Sequence, residues 1–321
     1  MSAPISDKSK NKPTVLNVIV FLAVLLAIAL FLSNPAKFSK SILKGIDLWA
    51  VSVLPATFPF LFLTALVTAL PPFLALTRKI SPIFERLFRV SGAGAGVAVL
   101  ASLSGYPVGA RLFFDLKQSG RIAKKENFRL ACLVTTSGPP FLVGTVGALM
   151  FGSAKAGWIL LLSHLLAIYI VCILLGLFGK KENFAPPLPQ SNPNPNLLYD
   201  TLWNAVVSVL CVGGLIALFY CFGDMLGALG VFSAFGGNPF TEGILRGLLE
   251  MTTGCSILSK IGTPLALAFS CALVTFGGFC VLFQQLAYLT RAEVKTLPFL
   301  AVKLLQAALA FALCLLFCTL F

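Results

Sequence analysis

The chain has 321 residues, of which 58% are hydrophobic and only 11% are charged, and its formal net charge is +13. A soluble domain needs about a quarter of its residues charged, so this composition excludes a soluble protein. The mean hydropathy of +0.95 instead predicts an all-α, polytopic transmembrane protein, because helices satisfy their own backbone groups in lipid.

The first apolar run covers residues 14–33. It is long enough to cross a membrane, since a helix rising about 1.5 Å per residue needs about 20 residues for a hydrocarbon core about 30 Å thick. Lysines precede it, but the run lacks a small-residue cleavage site, which argues against a signal peptide. Residues 1–33 are therefore predicted to form a cytoplasmic tail and an anchor helix.

A first membrane repeat is predicted for residues 34–178. It contains, in order, a long apolar stretch, a basic connector, a glycine-rich segment, a basic turn and two apolar runs, at residues 44–70, 78–89, 92–116, 117–129, 130–150 and 157–177.

Residues 179–198 are rich in proline and asparagine and are predicted to be a linker, because such a composition does not pack. A second membrane repeat is predicted for residues 199–321. Its long run, short segment and two further runs lie at residues 202–229, 240–261, 265–290 and 297–321. The shared order of elements predicts an internal structural repeat.

The glycine-rich segment breaks at Gly105-Tyr106-Pro107, with apolar arms at residues 97–104 and 108–116. Arms of this length reach about 12 to 14 Å, which is half a bilayer. We therefore predict a re-entrant hairpin here and a second one at residues 240–261. One full span kinked by glycine and proline is the alternative.

The basic residues test this topology, because they accumulate on cytoplasmic loops. With the amino terminus inside the cell and both short segments re-entrant, sixteen of the 24 lysines and arginines lie inside and six lie outside. The positive charge thus indicates orientation in the cell membrane and not a nucleic-acid partner. The same topology makes the two repeats inverted relative to each other.

Inverted repeats with broken helices are typical of secondary transporters, which bind substrate near the midplane where half-helices end. Four breaks occur here, and exposed breaks are tolerated in lipid only where protein or a wet cavity satisfies the backbone. They supply the candidate substrate-binding residues Ser104, Gly105, Tyr106, Arg111, Thr136, Ser137, Gly138, Glu250, Thr252, Thr253, Gly254, Gly277, Gly278 and Gln284.

Two charged candidates have structural alternatives. Glu250 lies deep in an apolar segment, where an ionisable group indicates a ligand or coupling-ion role, but it could instead pair with Arg246 one turn earlier. Arg111 could contact an anion or form an ion pair with Asp115.

Other polar residues within the spans have their own alternatives. His164 is interpreted as a hydrogen-bonded interhelical histidine in preference to a proton relay. Lys303 could extend to the inner interface. Gln284 and Gln285 could be ligand donors or hydrogen bonds between helices.

Enzyme signatures are missing from the sequence. It has one histidine and no His-Glu-x-x-His pair, and it has no Gly-x-Ser-x-Gly nucleophile motif. The nine cysteines fall in apolar stretches without a Cys-x-x-Cys pair, which indicates small buried hydrophobes. We expect no enzyme activity, no catalytic residue, no metal and no cofactor.

Four motifs resemble the YlbJ-type sporulation integral membrane proteins, which contain a nucleoside-recognition or Gate domain similar to that of concentrative nucleoside transporters. The resemblance runs from about residue 48 to the end. Its motifs are Ser-Gly-Tyr-Pro-Val-Gly-Ala-Arg, Thr-Ser-Gly-Pro-Pro-Phe, Leu-Glu-Met-Thr-Thr-Gly and Phe-Gly-Gly, at residues 104–111, 136–141, 249–254 and 276–278.

This resemblance implies transport of a small polar or anionic metabolite, with nucleosides and dipicolinate as candidates. The expected partners are that solute, membrane lipid and a coupling ion, either sodium or a proton. The alternative is a non-transporting scaffold or assembly factor of sporulation with the same fold. Polar breaks in both halves favour the carrier, because a scaffold has no need of them.

Overall fold

The computed structural model describes residues 15–178 and 195–320, and every regular element within these ranges is a helix. Most of the predicted tail and most of the predicted linker lie outside the described residues. Within the described residues, five helices are long and apolar enough to cross a membrane, and a sixth span exists if one bent pair is counted as one. The chain is therefore an all-α, multi-pass membrane protein, as predicted.

The first half contains eight α-helices. They are α1 (Val15–Ser33), α2 (Pro35–Leu48), α3 (Leu54–Ala69), α4 (Pro71–Leu87), α5 (Gly92–Ser104), α6 (Val108–Gln118), α7 (Asn127–Val134) and α8 (Ala154–Leu177). Two π-helical stretches accompany them. Trp49–Val53 joins α2 to α3 into one long span, and Pro140–Met150 lies between α7 and α8.

The second half contains seven helices. They are α9 (Leu197–Ala228), α10 (Val231–Ala234), α11 (Pro239–Leu249), α12 (Met251–Ile261), α13 (Pro264–Phe276), α14 (Gly278–Leu289) and α15 (Thr296–Leu320). Each half thus runs through a long span, a pair of short helices, an interrupted helix and a final span. The predicted order of elements is present, while the inversion and the repeat boundaries stay predictions.

The short helices fold back on each other in both halves. Gly243 of α11 lies against Leu258 of α12, and Gly247 touches Gly254. Near the other turn, Gly109 of α6 lies against Ala101 of α5. Helices of 11 to 13 residues measure about 16 to 20 Å, too short to span alone. This geometry is that of a hairpin, whereas one kinked span would hold the arms apart.

The predicted basic connector is a helix, α4, which bends by 101° into α5. Phe73, Thr77 and Ser81 recur every four residues and are buried, while Arg78 and Lys79 are exposed. A buried stripe with this spacing, opposite exposed charges, is that of a helix with one face packed on the protein. The sequence analysis did not predict this helix, because it considered the number of charges in the segment and not their helical spacing.

Candidate functional site

The four breaks lie close together. The backbone of Gly105, in the turn between α5 and α6, lies against that of Gly138, which follows α7. Gly278, at the start of α14, lies against the backbone of Gly247 and Met251 beside the second hairpin turn. Gly105 and Gly278 have φ angles of +77° and +59°, which glycine adopts without strain. Interrupted helices from both halves therefore meet inside the bundle.

A cavity lies between these breaks. Its volume is about 60 Å³, which is smaller than the roughly 300 to 1,000 Å³ of typical small-molecule sites, so a metabolite enters only if the cavity walls move apart. The first half contributes Val53, Thr57, Leu61, Ser104, Gly105, Tyr106, Ser137, Gly138, Pro140 and Phe141 to its wall. The second half contributes Val209, Val212, Ile216, Glu250, Met251, Thr252, Cys280, Val281 and Gln284.

Glu250 caps the N-terminus of α12 at the cavity wall. One carboxylate oxygen accepts from the Thr252 amide at 2.8 Å, and the other accepts from the amide and hydroxyl of Thr253 at 2.6 and 2.8 Å. The positive end of the helix dipole stabilises this buried charge further. The predicted alternative of a pair with Arg246 is wrong, because Arg246 binds Asp224 and Glu242 at 2.8 and 2.7 Å.

His164 joins three helices and is fully buried. Its Nε2 accepts from the Ser137 amide at 2.9 Å and lies 2.8 Å from the Thr136 hydroxyl. A ring nitrogen that accepts is unprotonated, so in the neutral ring Nδ1 carries the proton. Nδ1 lies 2.8 Å from the hydroxyl of Thr275. Both nitrogens thus bind protein groups, as the interpretation as an interhelical histidine requires.

Lys303 does not extend to an interface. Its side chain is fully buried, and its ammonium donates to the carbonyl oxygen of Thr135 at 2.9 Å and to the Tyr106 hydroxyl at 3.5 Å. It also lies 5.6 Å from the centre of the Tyr106 ring, within reach of a cation–π contact. The predicted snorkelling is wrong, because this face of α15 packs on other helices and not on lipid.

The predicted site residues separate into two groups. Those that line the cavity are Ser104, Gly105, Tyr106, Ser137, Gly138, Glu250, Thr252 and Gln284. Those that do not line it are Arg111, Thr136, Thr253, Gly254, Gly277 and Gly278. Their role in binding stays a prediction.

The second group has structural positions. Thr136 is buried against His164, and Gly254 and Gly278 bring helices together. Gly277 is the left-handed residue, with φ of +97°, that ends α13. Arg111 is exposed, and among the residues described no ion pair joins it to Asp115.

The sequence interpretation missed the walls supplied by the long spans α3 and α9. Thr57 could have indicated this wall from the sequence, because it places a hydroxyl in an apolar span. In the structure its side chain donates to the Val53 carbonyl at 2.7 Å. Gln284 lines the cavity, whereas its neighbour Gln285 is fully buried and its amide has no hydrogen-bond partner within the described part of the chain.

Comparison with known proteins identifies one relative. The chain is 26% identical to the sporulation integral membrane protein YlbJ of Bacillus subtilis (strain 168), over 88% of this chain and 78% of the relative. The chain is thus similar over most of its length to a sporulation integral membrane protein. No protein-family model matches it, and no solved structure matches it. The similarity confirms the YlbJ-type resemblance, while the nucleoside-recognition domain stays a prediction.

The chain also has a charged recess beside the cavity. Lys44, Asp47, Asp224, Glu242, Arg246 and Lys260 line it together with Thr253. Asp224 accepts from Arg246 and, at 2.6 Å, from the hydroxyl of Ser41. The recess thus carries fixed charges of both signs, whereas Glu250 is the one acidic or basic side chain among the described residues that line the cavity.

Metal binding has no support in this geometry. Within residues 15–178 and 195–320, no three histidine, cysteine, aspartate or glutamate side chains are grouped as metal ligands. All nine cysteines are free thiols, and seven of them are buried, as expected of small hydrophobes. The expected absence of a cofactor and of enzyme activity stays a prediction.

Proposed function

We propose that this chain is a membrane carrier for a small polar or anionic metabolite, which binds in the cavity between the four helix breaks. The single observation that carries the proposal is the convergence of interrupted helices from both halves on one cavity. Such breaks are costly in a membrane unless they serve a binding site or a pathway. A scaffold gains nothing from two sets of them.

The chemistry of the cavity wall suits a planar solute with polar edges, which would have to widen the cavity on binding. Tyr106 and Phe141 offer aromatic surfaces, and Ser104, Ser137 and Thr252 offer hydroxyls. Binding sites of this kind combine a mainly apolar wall with a few placed polar groups. Nucleoside-like and dipicolinate-like molecules both have this shape, and the family resemblance suggests both.

Glu250 distinguishes these two solute classes. A carboxylate attracts the hydroxyl and amino donors of a nucleoside and repels a dicarboxylate. Glu250→Gln is therefore expected to weaken the uptake of a nucleoside-like solute and to strengthen that of a dipicolinate-like one. The sign of the change identifies the class.

The proposed setting is the cell membrane of a spore-forming cell, since the relative is named as a sporulation protein. We further propose that the amino terminus is cytoplasmic, on the charge distribution given above. The proposed partners are the solute, the surrounding lipid and a coupling ion.

The test is solute uptake by the purified chain in proteoliposomes. Wild type is compared with a Glu250→Ala and Ser104→Ala double variant, and Ser208→Ala is the matched control. Ser208 is a partly exposed residue of α9 that does not line the cavity, and it donates to the carbonyl of Asn204. Uptake by wild type and the control, with loss in the double variant, supports the carrier. Solute binding without uptake would favour the scaffold.

A further inference from the structure

Lys303 is a buried cation without a buried anion beside it. None of the salt bridges among the described residues includes it, and its ammonium bonds to the Thr135 carbonyl and the Tyr106 hydroxyl. An ammonium at membrane depth is costly and is usually functional. The groups around it must supply the negative charge that no carboxylate supplies.

The partner of Lys303 is the C-terminal end of α7. The last carbonyls of a helix have no partner within it and carry about half a negative charge. Here the Thr135 carbonyl accepts from Lys303 at 2.9 Å, the Cys132 carbonyl accepts from Gln306 at 3.2 Å, and the Ala131 carbonyl accepts from the Thr135 hydroxyl at 3.0 Å. Lys303 and Gln306, one turn apart on α15, therefore cap a helix that ends inside the protein.

The same ammonium reaches the cavity wall. Tyr106 lines the cavity and contacts Lys303 with both its hydroxyl and its ring. The Tyr106 hydroxyl also lies 3.2 Å from the carbonyl of Val274, just before the Gly277 break. Lys303 thus contacts two of the four breaks directly and a third through the Tyr106 hydroxyl.

In many secondary transporters, unwound carbonyls and half-helix C-terminal ends coordinate a mobile sodium ion or proton. Here the comparable group of oxygens is already occupied by a cation that is covalently part of the chain. We propose that the Lys303 ammonium takes the place of a mobile coupling cation at the end of α7, so that transport needs no sodium ion there. This inference rests on the proposed carrier function and names its ionic requirement.

The first test needs no transport activity. Melting temperatures of the detergent-solubilised full chain are compared in sodium chloride and in N-methylglucamine chloride at equal ionic strength. Wild type is expected to melt at the same temperature in both. Lys303→Ala leaves an oxygen-lined space, and sodium or ethylammonium is expected to raise its melting temperature by about 5 °C. Lys303→Met, which refills the space with an uncharged chain, is expected not to respond. Lys40→Ala, at an exposed lysine of α2, is the control.

The second test is uptake in sodium-free proteoliposomes. Wild type is expected to take up solute. The uptake rate of Lys303→Ala is expected to be about 100-fold lower, because misplacing a binding group by about 1 Å has effects of that order. Part of this loss should return with sodium or ethylammonium, which a purely structural role of Lys303 would not produce.

Each failure has its own meaning. A wild-type chain that is stabilised by sodium, or that transports only with sodium, would overturn the inference and leave the carrier intact. So would a folded Lys303→Ala variant that responds to neither cation. If Lys303→Ala does not fold, the inference is tested by whether sodium changes the melting temperature of wild type. Absence of uptake for every solute would overturn the carrier function, and the melting experiment would still report whether Lys303 replaces a cation.

Discussion

The hydroxyl of Tyr106 donates a hydrogen bond to the carbonyl oxygen of Val274 over 3.2 Å. Tyr106 is at the tip of the first hairpin and Val274 is in the last turn of α13, so this bond connects the two halves of the chain beside the cavity. The ring of Tyr106 lines the cavity.

Tyr106→Phe removes this bond and the 3.5 Å contact of the hydroxyl with the Lys303 ammonium, and it keeps the ring. We expect the free energy of unfolding to fall by about 1 to 3 kcal/mol, because a neutral hydrogen bond contributes about 0.5 to 1.5 kcal/mol and a bond to a charged group contributes more. Thermal unfolding in detergent measures it. Tyr199→Phe is the control, because Tyr199 is 66% exposed. Equal stability of both variants would show that the Tyr106 hydroxyl does not hold the halves together.

His164→Ala should destabilise the chain, because it leaves the Ser137 amide and the Thr275 hydroxyl without their ring partner. An unsatisfied buried group costs about 1 to 3 kcal/mol. Leu162→Ala, at an exposed position of the same helix, is the control for the effect of an alanine on the stability of that helix. A variant of unchanged stability that loses only the pH dependence of uptake would instead support the proton-relay alternative.

Gly254→Ala should destabilise the second hairpin. A methyl group there would meet the Gly247 backbone and the carbonyl of Gly243, neither of which can move aside easily. Overpacking of this kind costs about 1 to 3 kcal/mol. Gly214→Ala is the matched control, because a methyl group on Gly214 meets nothing within 4 Å, and replacing a helical glycine stabilises by about 0.5 to 1 kcal/mol. Thermal unfolding of both variants should therefore shift in opposite directions, and a shift in the same direction would contradict the packing described.

Glu126→Gln should destabilise the loop before α7. Glu126 is buried and accepts from the amides of Ser91 and Ala123 at 2.5 and 2.9 Å. Glutamine places an amide NH2 group where one oxygen of Glu126 faces a backbone amide, so that buried amide loses its partner in either protonation state of the wild type, at a cost of about 1 to 3 kcal/mol. Glu293→Gln is the control, because that side chain is 76% exposed and its ion pair with Lys117 is 3.9 Å long.

The stability difference between wild type and Glu126→Gln should depend on pH. Burial raises the pKa of the Glu126 carboxyl above its ordinary value of 4.5, although the amides of Ser91 and Ala123 lower it. The folded chain therefore keeps this proton to a higher pH than the unfolded chain does. The resulting stabilisation is complete below pH 4.5 and is lost as the pH rises through the folded pKa. The difference in the free energy of unfolding between wild type and Glu126→Gln should therefore become smaller as the pH rises through that range. A difference that grows would contradict a raised pKa of Glu126.

The sequence predicted the four breaks and their order, because glycine, proline and hydroxyl residues interrupt apolar runs that are otherwise continuous. It could not place Lys303, because its partner Thr135 is 168 residues away. A signal existed nonetheless. Gln306, Ala307, Ala310 and Cys314 recur with Lys303 on one buried face of α15, so the lysine shares its stripe with small residues and a second polar group. Such a stripe indicates a helix interface.

For Arg111, closeness in sequence to a break did not place the residue at the cavity. Its closeness in sequence to the first break suggested a site residue, but α6 begins at Val108 and turns the arginine to the outside. Position along a chain gives the distance to a break, whereas helical phase decides which side a residue faces. The phase could be read only once the start of the helix was known.

Thr252 borders the cavity and Thr253 borders the charged recess, yet they are adjacent in the chain, and both amides bind the carboxylate of Glu250. The first turn of α12 is thus part of the wall between the two spaces, and Glu250 holds that turn in place. In the proposed carrier, a change in the hydrogen bonds of Glu250 would therefore alter the cavity and the recess together.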